Sequence, residues 1–142
     1  MAHVKDEGMF DAPVERIWKY LQDNTPGVHV HKSLREMKPV GQQGNAVTFE
    51  MEFVNPDGTS TRKESWRMTM NPPHGFDMEA LTGISKGTKY SHKYTPMGAR
   101  TKVEVEGEFH MQGMDEGATR QAALGFLAEV FDEDNSTLKR YK

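Results

Sequence analysis

The chain has 142 residues, the size of one domain with one sizeable core, and it leaves no room for a second. Eighteen Lys and Arg stand against 21 Asp and Glu, a formal charge of −3, so the positive excess that a phosphate backbone demands is missing and no nucleic-acid partner is expected. The absence of cysteine excludes a disulfide framework, a thiolate metal site and a cysteine nucleophile.

The opening stretch, Met1 to Phe10, alternates charged with apolar residues and holds no hydrophobic run. Neither a secretory leader nor stable membrane insertion is expected, and the expected location is cytoplasmic. Leu, Ile, Val and Phe supply only 25 residues, while ten Met, four Tyr and two Trp make up the apolar deficit. Such large, adaptable or amphipathic side chains fill an irregular core as readily as they line a ligand cavity, and composition alone leaves both readings open.

From Asp11 the pattern is helical, with Asp11 as the expected N-cap, Pro13 in the first turn, and Val14, Ile17, Trp18 and Leu21 at i, i+3, i+4 and i+7. Asp23 to Gly27 ends that helix. Residues 28–38 have no clean period and fit either a short second helix or irregular chain entering a strand. From Ala46 the period becomes two: Val47, Phe49, Met51 and Phe53 share one face of a half-buried strand. Asn55-Pro-Asp-Gly58 turns the chain back. The returning strand, Arg62 to Met70, puts Glu64, Trp66, Met68 and Met70 inward.

After the break at Asn71-Pro-Pro-His-Gly75, a shorter strand places Phe76, Met78 and Ala80 on one face and ends near Gly83. Gly87 marks another turn. Thr88 to Thr95 then sets Tyr90, His92 and Tyr94 on one face, and Arg100 to Met111 alternates Thr101, Val103, Val105, Gly107 and Phe109 with lysine and glutamates. Five consecutive strands joined by short turns read as an antiparallel meander. After Gly113 the period returns to 3.6, with Asp115 and Glu116 in the first turn and Lys139, Arg140 and Lys142 in the last, as the helix dipole favours. Ala123, Leu124, Leu127, Val130, Phe131, Leu138 and Tyr141 form its stripe. The expected class is α+β, a long C-terminal helix packed on one face of a curved antiparallel sheet.

The opening Phe10-Asp-Ala-Pro-Val-Glu-Arg-Ile-Trp18, followed by Leu21 and Asp23, resembles the first strand-to-helix signature of the START-like helix-grip (SRPBCC) superfamily, particularly its small polyketide cyclase/dehydrase-like members. The hairpin strands, the Thr101-Lys-Val-Glu-Val-Glu strand and the final helix from Ala118 follow in the family's order, so the resemblance covers nearly the whole chain. It implies one domain over residues 1–142: about seven antiparallel strands gripping the C-terminal helix, one or two short helices after the first strand, and an elongated apolar cavity. It does not fix one activity, because a shared fold hosts carriers, cyclases and chaperone co-activators alike.

On that fold the inward residues become a cavity wall: Phe49, Met51, Phe53, Trp66, Met68, Phe76, Met78, Tyr90, Tyr94, Val103 and Val105, with Leu124, Leu127 and Phe131 as lid. The expected partner is a small hydrophobic molecule such as a lipid, steroid, polyketide or aromatic. The alternative is that these side chains meet and leave no void. The inward polar set is Glu64, His92 and the Tyr90 and Tyr94 hydroxyls. An imidazole between two phenols, with a desolvated Glu64 on another strand, is the equipment of a cyclase or dehydrase with His92 as general acid or base. The competing reading is a hydrogen-bonded core histidine and a strand-end glutamate. A protein-interaction module of the chaperone co-activator type needs neither.

No cofactor or metal is called for. His29-Val-His31, with His74 or His110 as third ligand, lacks a Cys, an HExxH helix or a carboxylate partner and reads as surface histidines. Gly83-Ile-Ser-Lys-Gly87 lacks phosphate-loop spacing and reads as a hairpin turn. Arg62, Lys63, Arg67, Lys89, Lys93, Arg100 and Lys102 are expected on outward strand faces. Asn135-Ser-Thr137 matches a glycosylation acceptor without an export signal to make it relevant.

Overall fold

A computed structural model describes residues 2–23, 31–55 and 57–141. Seven antiparallel strands form one sheet in the order β1-β7-β6-β5-β4-β3-β2. The strands are β1 (Ala2–Phe10), β2 (Leu34–Gln43), β3 (Ala46–Val54), β4 (Thr61–Asn71), β5 (Gly75–Ala80), β6 (Lys89–Met97) and β7 (Arg100–Phe109). The helices are α1 (Val14–Leu21) and α2 (Glu116–Arg140). The strands from β2 to β7 run as a meander, and β1 returns to pair with β7 from Ala2↔Phe109 to Phe10↔Thr101. This is the α+β order that the alternation of periods announces and the helix-grip architecture that the resemblance implies.

The inner face follows parity. Val47, Phe49, Met51 and Phe53 of β3 are buried while their neighbours are half-exposed, and Glu64, Trp66 and Met68 of β4 continue that layer. The layer passes through Met78 and Ala80 of β5, Tyr90 and Tyr94 of β6, and Val103, Val105 and Phe109 of β7. Against it α2 presents Thr119, Ala123, Leu127 and Leu138, with Leu124, Phe126, Phe131 and Tyr141 partly buried. The helix packs chiefly along β1. Asp115 caps it, its Oδ1 accepting the Ala118 N–H at 2.7 Å, which satisfies one of the N–H groups a helix start leaves open.

Two expectations are corrected, for Asp11 and Arg62, and of the two readings left open for residues 28–38 the described part follows the one that enters a strand. Asp11 does not cap α1: the helix starts at Val14 behind an extended Pro13, and the Asp11 carboxylate accepts from Arg100 Nε at 2.9 Å and faces Lys139 Nζ at 3.5 Å. Residues 34–43 form an edge strand, β2, and the described residues contain no second short helix. Register shifts between Leu34 and Glu36 and between Pro39 and Gly41 rotate its faces twice, which hides the period of two, and an edge position tolerates the missing N–H of Pro39. Arg62 does not point outward: it shares the inner parity of Glu64, lies 5.0 Å from the Phe53 ring, and donates from Nη1 to Asn55 Oδ1 at 2.9 Å.

The Asn55 to Gly58 turn closes with the Gly58 N–H donating to Asn55 O at 2.9 Å and Gly58 at φ +76°. Pro56 lies outside the described residues, as do Val28 and Val30.

Candidate functional site

α2 meets the sheet along β1 and β7, and away from them the inner face and the helix stand apart. A cavity of about 340 Å³ remains between them. Of the residues read inward from the sequence, Met51, Phe53, Trp66, Met68, Phe76, Met78, Tyr90, His92, Tyr94, Val103 and Val105 line it, and Leu127 and Phe131 close it from the helix. The rings pack edge to face or stacked: Trp66 lies 6.1 Å from Tyr90, Phe53 lies 6.0 Å from Phe126, and Phe10 stacks on Phe131 at 4.6 Å.

Gly8 makes the last of these arrangements possible. A Cβ there would stand 2.5 Å from Phe131 Cζ, so only a residue without one lets the ring lie across β1 and roof the cavity.

Three residues of the sequence reading lie elsewhere. Phe49 is buried but lines a second hollow of about 490 Å³ beside Leu21, Met70 and the exposed residues Gly41 and Gln42 at the sheet edge. Leu124 is partly buried beside the core and does not line the cavity. Glu64 is the clearest departure. It is 1% exposed, and its carboxylate accepts from Trp66 Nε1 at 3.1 Å, Arg62 Nε at 3.3 Å and the Ser85 N–H at 3.3 Å. Gly83, at φ +83°, makes room, since a Cβ there would meet Glu64 Cγ at 2.6 Å. Glu64 therefore fastens the β5–β6 connection to β4 and does not share the cavity with His92.

His92 does reach the cavity. Its ring stacks on Phe76 at 4.3 Å, and its buried Nδ1 has no hydrogen-bond partner. Burial lowers its pKa to about 3, so the imidazole is neutral near neutral pH. Burial also raises the Tyr90 and Tyr94 hydroxyls well above the ordinary phenol range.

A second polar group on the wall comes from α2. Asp134 projects from α2 and accepts the Tyr20 O–H at 2.7 Å, and His31 Nε2 lies 3.3 Å from the same oxygen. All three line the cavity. Burial, the largest influence, pushes the Asp134 carboxyl up to about 6 against the opposing pull of His31 and Tyr20. The chain after α1 is fastened above this cluster by α2 carboxylates. Ser33 donates from N and Oγ to Glu129 at 3.1 and 2.9 Å, and Lys32 N donates to Glu133 at 3.3 Å.

The sequence carries a signal for Asp134. It falls three residues after Phe131 and four before Leu138, inside the apolar stripe, where an acid costs energy unless something uses it. Asp6 repeats the signal on β1, breaking the inward set Ala2, Val4, Gly8 and Phe10. Tyr20 and His31 needed tertiary contacts to be placed, and His31, expected at the surface without a carboxylate partner, is instead buried against Asp134 and Glu133. His29 lies outside the described residues, and among those described no group of three or more His, Cys, Asp or Glu is placed to hold a metal ion.

The comparisons with known proteins agree with this geometry. The family model described as polyketide cyclase/dehydrase and lipid transport matches residues 1–141, and the chain belongs to that family. No curated protein matches. Among solved structures, the di-domain ARO/CYC StfQ from the steffimycin biosynthetic pathway is similar at TM-score 0.75 and 14% identity, covering 99% of this chain, which spans 50% of that one. Ara h 8.0201 is similar at TM-score 0.75 and 14% identity, over 97% of each chain. The Zhui aromatase/cyclase from Streptomyces sp. R1128 is similar at TM-score 0.69 and 11% identity, over 96% of this chain and 90% of its own. Likeness at these identities is a likeness of fold. No helix among the described residues is long and apolar enough to cross a membrane.

Proposed function

We propose that the protein binds one small, largely apolar molecule in the cavity between the sheet and α2, holding it for delivery or sequestration. The observation that carries this reading is the wall itself: about 340 Å³ of space left open between the inner face of the sheet and α2 and lined by aromatic and Met side chains. That volume lies within the range of small-molecule sites, which are mostly apolar with a few polar groups to set orientation. His92, neutral and with an unused Nδ1, is one such group. The family's description, which includes lipid transport, supports the same reading.

The test is titration with the neutral fluorescent probe N-phenyl-1-naphthylamine, followed by native mass spectrometry. One probe per chain with saturable fluorescence is the expected result. Failure to retain any apolar probe overturns the reading.

A cyclase or dehydrase reaction is the second reading, favoured by the family's description and by an ionisable carboxyl, Asp134, on the cavity wall. It cannot use the pair His92 and Glu64, since Glu64 is spent on Trp66, Arg62 and Ser85.

A further inference from the structure

The charge on the cavity wall is one-sided. Asp6, Glu7, Asp132 and Asp134 line it, and among the described residues no lysine or arginine does. Lys102 Nζ lies 3.6 Å from Glu7 and offsets that one wall charge, Arg62 is held by Glu64 and Asn55, and among the described residues Asp6, Asp132 and Asp134 have no lysine or arginine in an ion pair. Among the described residues His31 is the basic group that faces the α2 acids at the cavity, Asp134 at 3.3 Å and Glu133 at 3.6 Å. Asp6 occupies an inner-face position on β1 yet is exposed, and Asp132 is exposed on α2, so these carboxylates mark where the cavity opens between strand and helix.

Two observations independent of the acids point to a ligand. The imidazole of His92 lines the same cavity with a buried nitrogen lacking any partner, and β1, β3, β4, β5, β6 and both helices each present an aromatic ring to it. Aromatic faces attract a cation, most strongly where water is excluded. A carboxylate ligand would meet like charge in a low-dielectric space with no guanidinium or ammonium to receive it.

From this we infer that the cavity selects a lipophilic amine, an apolar body carrying one ammonium group, with the ammonium against Asp134 and the body along the aromatic wall. The inference rests on the ligand-binding reading above and adds the sign of the ligand's head group.

The experiment displaces N-phenyl-1-naphthylamine with decylamine, decanol and decanoate at neutral pH and low salt, so that only the head group changes. Decylamine should displace the probe about tenfold or more better than decanoate, and Asp134→Asn should narrow that gap to about twofold. Circular dichroism establishes whether the variant is folded. Should it not fold, Asp6→Asn combined with Asp132→Asn, both at the exposed opening, carries the test and should shrink the amine preference several-fold. Decanoate binding as well as or better than decylamine overturns the inference. Decanol displacing the probe with no advantage for the amine overturns it too, but leaves the ligand-binding reading standing. An amine preference that survives every carboxylate substitution overturns the assignment to these residues. If none of the three compounds nor the probe binds, both readings fall together.

Discussion

The imidazole of His92 and the carboxyl of Asp134 line one cavity, and loss of water shifts them in opposite senses, each toward its neutral form. His92 falls from 6.5 to about 3 on folding, so below pH 6.5 the unfolded chain takes up a proton that the folded one refuses, and stability is lost as pH falls. Asp134 rises from 3.8 to about 6, so the folded chain keeps its proton longer, and stability is lost as pH rises through that interval. Each slope approaches about 1.4 kcal/mol per pH unit, and between about pH 4 and 6 they oppose one another. The groups facing Asp134 are Tyr20, His31 and Glu133, and they remain in both single variants. Urea unfolding at a series of pH values should therefore show Asp134→Asn losing stability on acidification, and His92→Phe losing it on going from pH 4 to 6. Profiles parallel to the wild type in both variants would refute the assignment. Alternation in β4 and β6 already placed Glu64 and His92 on the inner face. It could not say what Glu64 touches, because Ser85 and Gly83 arrive from a different connection. Glu64→Ala should cost about 3 kcal/mol by leaving Trp66 Nε1, Arg62 Nε and the Ser85 N–H without their acceptor, while Asn55 still holds Arg62 Nη1, a loss read in thermal unfolding.

Between elements, the contact that shapes the cavity is Gly8 of β1 against Phe131 of α2. Gly8→Ala forces the ring off Phe10 and into the cavity at a cost of about 1 to 3 kcal/mol, since overpacking strains side chains that otherwise sit in their rotamers. Phe131→Ala should cost about 2 kcal/mol, less than a fully enclosed ring, because Phe131 is half-buried and loses mainly its stack on Phe10. In the Phe131→Ala background the Gly8→Ala cost should vanish, and a double-mutant cycle by chemical denaturation reads that coupling directly. Additive costs would show that the two residues do not meet. Most elements were legible because a regular period survives in them: β3 and β7 alternate cleanly, and α2 shows its stripe and its Asp115 start. Irregular backbone defeated the reading elsewhere. Two bulges scramble β2, and an extended Pro13 takes the start of α1 and leaves Asp11 to Arg100 and Lys139.

At the scale of the molecule, the order of elements and the Phe10 to Trp18 segment were enough to reach the family and the grip of sheet on helix. Inward parity on the strands reached much of the cavity lining as well, but it also put Phe49 and Glu64 there, which the cavity does not include. What parity omits is the closing side, where residues 31–33 meet Glu129, Glu133 and Asp134 of α2 through contacts about a hundred positions apart in sequence. A ligand taken up there binds the folded chain alone, so a hundredfold excess over its dissociation constant should stabilise the protein by about 2.7 kcal/mol and raise the melting temperature accordingly. The most direct test of the account is the number of N-phenyl-1-naphthylamine molecules retained per chain in native mass spectra of the wild type and of folded Gly8→Ala. One molecule on the wild type, sharply reduced when Phe131 is driven inward, is the expected outcome. No retention by the wild type, or retention that Gly8→Ala leaves untouched, would contradict it.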